Sequence, residues 1–256
     1  TRLKTKKTFI IIVFIIVLIF IYFYNNITNN ELKTRNKQLS YLNEFDTYVA
    51  IGELDDNGNL IDNGNTINMS NSNTVHHTID LMQKIDENRD YLLIAMIDFE
   101  LSPIKINGKM HNSYLFSTEK VDQIALDIEI EIPKNSKELT YIVIKNPNFM
   151  PENFDVGEII SLQTVLSKRF NLENSDENIK YESNFTSSSK GPIDNLWISS
   201  NKFEQQSIYR GKSGDKVYIT LGNYSKENLD YAVVMFSDWN QVAFNNGSNV
   251  KYFNLN

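Results

Sequence analysis

Hydrophobic positions fall along this chain in two different ways. Residues 9 to 24, FIIIVFIIVLIFIYFY, are sixteen consecutive positions with no charge, no Gly and no Pro, whereas further on apolar residues recur mostly at every second position. The first pattern predicts a membrane-spanning helix. At about 1.5 Å per residue the run is roughly 24 Å long, a little under the roughly 30 Å hydrocarbon core, and Thr8 with Asn25 to Ile27 complete the span. Arg2, Lys4, Lys6 and Lys7 lead directly into it, and Tyr22 and Tyr24 close it. Cations on the near side and interfacial rings on the far side predict a cytoplasmic N-terminus and an outward-facing remainder. A cleaved signal peptide needs a shorter apolar core and a small-residue cleavage site, and Asn25 to Asn30 offers none.

The second pattern predicts strands. In residues 124 to 132, IALDIEIEI, the apolar Ile124, Leu126, Ile128, Ile130 and Ile132 alternate with Ala125, Asp127, Glu129 and Glu131. Such clean alternation belongs to an antiparallel sheet with one face in the core and one in water. Residues 48 to 54 read as a strand, followed by a type I′ turn at Asp55-Asp56-Asn57-Gly58 and a return strand over 59 to 61. Residues 139 to 145 give another strand, and the Asn-, Gly- and Ser-rich stretch 63 to 73 a loop. Residues 158 to 172 fit a short helix running into a strand.

One stretch of pattern occurs twice. Residues 79 to 98 align without a gap on 219 to 238, with identities at Ile79/Ile219, Leu81/Leu221, Glu87/Glu227, Asn88/Asn228, Asp90/Asp230, Tyr91/Tyr231 and Asp98/Asp238. Leu93/Val233, Ile94/Val234, Met96/Phe236 and Phe99/Trp239 are conservative neighbours, and Asn107-Gly108 faces Asn246-Gly247 after one residue of slippage. Shared core residues arise easily in any β-protein, but a shared E-N-x-D-Y connection does not, because register and turn geometry fix its length. Matching burial of Tyr91 and Tyr231 is therefore expected. The repeat predicts tandem antiparallel β-sandwiches, immunoglobulin-like in architecture, in an all-β protein carrying an N-terminal transmembrane helix.

The resulting division is a basic stub over 1–8, an anchor over 9–27, a stalk over 28–42, a first sandwich over 43–183, a linker over 184–192 and a second sandwich-like domain over 193–256. The second copy stops where the first continues through further strands, and position 1 is not Met. The expectation is a piece of a longer product or a smaller second domain, with an open strand edge that more chain, the first domain or another protein covers.

Composition narrows the function. The absence of Cys removes disulfides, thiolate catalysis and Cys-ligated metals. All 32 acidic residues lie beyond the anchor while four of the 25 basic ones precede it, so the outer part is more acidic than the chain's net −7. That disfavours nucleic acid and anionic membrane surfaces as partners. His76 and His77 are adjacent on a strand and point to opposite faces, so they do not share a metal. No catalytic residue, metal site or cofactor is assigned.

The positions that stand out are Asp98-Phe99 and Asp238-Trp239, each closing an apolar strand. An Asp making a turn beside a core aromatic explains both. The functional alternative is an exposed aromatic platform of Trp239, Tyr231 and Trp197, with Asp238 and Asp98 beside it, taking a cell-wall glycan or another surface protein. The expected function is thus a single-pass, membrane-anchored surface protein, with N-terminus inside and domains outside, that binds or builds and is not an enzyme. Two rivals are a carboxylate-dependent hydrolase using Asp98, Asp238, Asp127 and Glu129, and an accessory subunit of a membrane complex that would leave an apolar patch uncovered.

Overall fold

The computed structural model describes residues 47–69, 73–149, 165–173, 181–183, 185, 196–202, 212, 214–223 and 228–255. The stub, anchor and stalk lie outside the described residues, as do residues 158–164 and, apart from Phe185, the linker 184–192. Among the described residues no helix is long and apolar enough to cross a membrane, and every regular element is a strand. In chain order these are β1 (Tyr48–Leu54), β2 (Thr66–Ile67), β3 (Thr74–Lys84), β4 (Arg89–Ile97), β5 (Glu100–Ser102), β6 (Ile104–Ile106), β7 (Lys109–His111), β8 (Tyr114–Thr118) and β9 (Val121–Glu131). They continue as β10 (Glu138–Lys145), β11 (Val165–Leu172), β12 (Leu196–Ser199), β13 (Tyr218–Leu221), β14 (Leu229–Val234), β15 (Phe236–Ser237), β16 (Asn240–Gln241) and β17 (Val250–Leu255). Over the described residues the protein is thus all-β with several sheets.

The chain divides into two compact units. One is drawn from residues up to Asp62, 76–88 and 118–128, the other from 63–75, 89–117 and 129 onward. In the first, β1 pairs antiparallel with β3 from Tyr48↔Lys84 to Leu54↔Thr78, and β9 lies on the other side of β3. Ile79 and Leu81 are buried on one face of β3, and on that face His77 Nδ1 meets the carboxylate of the fully buried Glu53 of β1. His76, on the opposite face, is exposed, although Asp80 and Met82 further along that face are buried. Over residues 124–132 most of the expected faces appear: Leu126, Ile128, Ile130 and Ile132 are buried and Asp127 and Glu131 exposed, while Ile124 and Glu129 are half-buried.

The loop after β1 departs from the expected type I′ turn. Only Gly58 has positive φ there, at 77°, and the bonds Gly58 N–H to Asp55 O (2.8 Å) and Asp55 N–H to Asn59 O (2.9 Å) close a wider, bulged turn. The Asp55 carboxylate selects it by accepting from the backbone N–H groups of Asn57 and Asn59 at 2.9 and 2.8 Å. Partial burial pushes the Asp55 carboxyl up, but the hydrogen bonds from Asn59 and Asn57 outweigh it and leave the group below its ordinary value.

In the second unit the strand order is β2-β11-β10-β4-β5, with β8 also paired to β4. β10 pairs with β4 from Leu139↔Ile97 to Lys145↔Tyr91 and with β11 from Glu138↔Asn171 to Ile144↔Val165. Residues 165–172 are strand, and the helix expected ahead of them falls outside the described residues. The stretch expected as a pure loop, 63–73, contains the short β2, parallel to β11. Asn63 and Gly64 stand in for a ladder at that edge: Asn63 Oδ1 accepts from Arg169 N–H at 2.7 Å, and Gly64 N–H donates to Arg169 O at 2.7 Å.

Central position in the sheet buries β4 on both faces from Tyr91 to Ile97. Leu92 and Ile94 of β4 and Ile144 of β10 form an apolar cluster, covered by Leu101, Ile142, Phe236 and Trp239. The later residues of the unit form three two-stranded ladders, β12 with β13, β14 with β17 and β15 with β16. On its far side β17 meets Tyr181 in a parallel bridge to Tyr252, and Glu182 N–H donates to Tyr252 O at 2.8 Å. Residues before 184 therefore cover part of the edge expected to lie open.

Candidate functional site

The two Asp-aromatic dipeptides adopt the same local structure. Asp98 and Phe99 have φ of 50° and 65°, and Asp238 and Trp239 have 48° and 60°. Each pair occupies the centre of a two-residue hairpin, β4 to β5 through Ile97↔Glu100 and β15 to β16 through Ser237↔Asn240. Positive φ at both central positions is the type I′ geometry, which matches the twist of the flanking strands. Asp tolerates it, whereas a bulky ring costs on the order of 1 to 2 kcal/mol there. Packing offsets that cost. The Phe99 ring lies 5.3 Å from the Arg169 guanidinium and meets Tyr252 edge-on with centroids 6.0 Å apart. The Trp239 ring packs on the Leu92, Ile94 and Ile144 cluster, and its indole N–H donates to Pro147 O at 2.8 Å.

A third side chain ties the hairpins together. Gln241 Oε1 accepts from Leu101 N–H at 2.8 Å, and its Nε2 donates to Phe99 O at 2.8 Å and to Asn249 O at 3.2 Å. Leu101 and Gln241 are corresponding positions of the repeat, so the copies meet through equivalent strands. Tyr252 adds a bond from its hydroxyl to Asp98 O at 3.1 Å.

The two aspartates differ sharply in their duties. Asp98 Oδ1 accepts from the backbone N–H groups of Lys137 (2.7 Å) and Glu138 (3.0 Å), fastening the β4 hairpin to the start of β10. Asp238 is exposed, and its backbone carbonyl accepts from Asn240 Nδ2 at 3.1 Å. Glu138, 6% exposed, is ion-paired with Arg169 and accepts from Thr140 Oγ1 at 3.0 Å. Burial raises its carboxyl above the ordinary range, the Arg169 charge and the Thr140 bond oppose this, and the nearby Asp98 charge adds to it. The Tyr252 hydroxyl is raised by burial first and then by Asp98, Glu138 and Glu100.

Elsewhere the sequence candidates lie apart. Tyr231 is half-buried on β14, with its hydroxyl donating to Gly222 O at 2.6 Å, and Trp197 is half-buried on β12 opposite Thr220. No ring contact among the described residues joins Trp239, Tyr231 and Trp197. Tyr91 is 1% exposed, so the expected match with the half-buried Tyr231 fails. The reason is coverage: β10 and β8 flank β4, whereas β14 has β17 alone beside it among the described residues. Asp127 accepts from Thr78 Oγ1 at 2.8 Å, and Glu129 pairs with Lys105 at 3.0 Å. No group of three or more His, Asp or Glu residues among those described is placed to hold a metal.

Sequence reasoning missed Glu138, Arg169, Gln241 and Tyr252 as members of the cluster around Asp98. Only Gln241 carried a signal, through its correspondence with Leu101.

No protein-family model matches the chain, and no curated protein matches it. Among solved structures, a CARDB domain of a Pyrococcus furiosus protein in complex with di-metal ions is similar at 7% identity and a TM-score of 0.26, covering 50% of this chain and 96% of that one. The N-terminal domain of PorA is similar at 7% identity and a TM-score of 0.24, covering 49% of this chain and 99% of that one. Similarity of this size bears on neither activity nor partners.

Proposed function

We propose that the chain is a membrane-anchored surface protein whose ectodomain, built from tandem antiparallel β-sandwiches of immunoglobulin-like architecture, acts as a binding or structural module rather than an enzyme. The observation that carries this reading is how the Asp98 cluster uses its polar groups. Asp98, Gln241 and the Tyr252 hydroxyl are occupied with fastening hairpins to strands, and Glu138 is held by Thr140 and Arg169. Of the other carboxylates that a hydrolase would enlist, Asp127 is engaged by Thr78 and Glu129 by Lys105. The uncharged run 9–24 behind four cations supports the anchor and its orientation.

The test has two arms. Protease added to intact, wall-stripped cells is expected to digest the ectodomain, and complete protection would sink the topology. Purified full-length protein is expected to retain cell-wall glycan or a surface protein unchanged when Asp98, Asp238, Asp127 and Glu129 are replaced by Asn or Gln, whereas substrate cleavage that those replacements abolish returns the hydrolase reading.

One observation favours the accessory-subunit reading as a second possibility. The ladder pairs Leu196↔Leu221 and Ile198↔Ile219 put these apolar residues on one face of the β12–β13 ribbon. There Leu196 is 50% exposed, Ile198 39% and Ile219 38%. Migration of the mild-detergent extract as a larger complex, lost on replacing Leu196 and Ile198 by Ser, would support it.

A further inference from the structure

The repeat lets the neighbours of β4 be compared with those of β14 among the described residues. In the first copy, β4 turns through Asp98-Phe99 into β5, and after the excursion containing β6 and β7 the chain returns as β8 to pair with β4. In the second, β14 and β15 turn through Asp238-Trp239 into β16, Val242 N–H donates to Met235 O at 2.9 Å, and the chain returns as β17 to pair with β14. Even a side-chain detail recurs: Asp90 accepts from Ser117 of β8 at 2.6 Å, and the corresponding Asp230 from Asn254 of β17 at 2.8 Å. The flank held by β8 in one copy is held by β17 in the other. The opposite flank of β4 holds β10 through seven pairs. The opposite flank of β14 holds no strand among the described residues.

The geometry fixes which groups that flank presents. Tyr252 O is turned away from β14, toward Glu182 N–H, so Ala232↔Tyr252 is a non-hydrogen-bonded pair of the ladder. The N–H and C=O of Ala232, and by alternation those of Asp230 and Val234, therefore point to the flank where no strand stands among the described residues. We infer that this edge of β14 accepts an antiparallel extended strand from a partner chain, with a continuous apolar run like Tyr141–Ile144 of β10. Resting on the binding-module reading, the inference names its partner class: a protein segment recognised by main-chain bonds, with side-chain spacing as the specificity element. Register follows from β4 and β10. The positions matching Leu92↔Ile144, Leu93↔Val143 and Ile94↔Ile142 set Ala232, Val233 and Val234 against three apolar residues of the incoming strand.

The probe is a synthetic peptide with the sequence of Glu138–Lys145, added to the detergent-solubilised full chain and read by hydrogen exchange and binding titration. Expected are saturable binding and at least tenfold slower exchange at Asp230, Ala232 and Val234. Ala232→Pro, which removes one edge-facing N–H without touching the β17 ladder, is expected to weaken binding at least tenfold. Should that variant not fold, N-methylation of the peptide at alternate positions replaces it: one alternation is expected to abolish binding and the other to leave it. The inference is overturned if those amides are already slow without peptide, if binding leaves them fast, or if both methylated peptides bind equally. It is also overturned, in favour of a second copy, if the free chain dimerises with those amides protected. The protease result on cells is independent of all these outcomes, so failure of the surface assignment and failure of the strand site are separable.

Discussion

β4 and β14 begin from nearly the same text and reach different depths. Both follow an E-N-x-D-Y connection, both carry apolar residues where β4 has Leu93 and Ile94, and both run into a type I′ turn at an Asp-aromatic pair. Yet β4 is buried at every position from Tyr91 to Ile97, while in β14 only Val233, at 7% exposure, is buried. Local sequence sets the turn, because the φ demands of a two-residue hairpin are met by the residues in it. Burial is set by neighbours, and β4 has β10 and β8 beside it with Trp239 on one face.

The sharpest way to break this comparison is to excavate corresponding positions. Leu93→Ala is expected to lower unfolding free energy by about 2 to 5 kcal/mol, the range for large-to-small changes in a well-packed core. Val233→Ala should cost under about 1.5 kcal/mol, since β14, with β17 alone beside it among the described residues, relaxes more easily. Equal losses in denaturant titrations would mean that β14 is as enclosed as β4.

Next in size is the aromatic of each turn. Trp239→Ala removes a ring from the Leu92, Ile94 and Ile144 cluster together with its bond to Pro147 O, and a loss near 3 kcal/mol is expected. Phe99→Ala gives up ring contacts with Arg169 and Tyr252 and is not part of the Leu92, Ile94 and Ile144 cluster, so about half that loss is expected in the same titration. A smaller effect at Trp239 than at Phe99 would show that the second hairpin is not what covers the sheet.

The aspartates sharpen the contrast further. Asp98→Ala strands the N–H groups of Lys137 and Glu138 and should cost about 1 to 3 kcal/mol. Asp238→Ala loses mainly a residue tolerant of positive φ, for about 1 kcal/mol or less. Thermal melts of the two single variants decide the order.

The smallest expected effect is on pH dependence. The folded-state pKa of Glu138 is raised, chiefly by burial, so its contribution to stability is fully present below the ordinary carboxylate value of 4.5 and declines as pH rises through the raised folded value. Asp55 is opposite in sign: its pKa is lowered, so its contribution is present above 3.8 and is lost as pH falls through the folded value. Glu138→Gln should therefore flatten the decline above pH 4.5, and Asp55→Asn the acid-side loss below pH 3.8. Melting curves between pH 3 and 7 that leave both limbs unchanged would remove these two groups from the account.

Much of this molecule was legible in one dimension because the information is local. Alternation alone placed Leu126, Ile128 and Ile130 inside and Asp127 outside, since side chains on a strand have a period of two whatever lies across from them. The ungapped repeat likewise marked Asp98 and Asp238 as equivalent strand ends with a turn, though not that each Asp-aromatic pair is the centre of a two-residue hairpin. Tertiary structure alone decided what those hairpins touch. That Gln241 bridges Leu101 and Phe99, that Trp239 covers Leu92 and Ile94, and that Glu138, Arg169 and Tyr252 gather around Asp98 depend on contacts between residues up to 154 positions apart. Neither period nor propensity encodes such contacts, and so the repeat foretold equal burial for Tyr91 and Tyr231 where strand neighbours made it unequal.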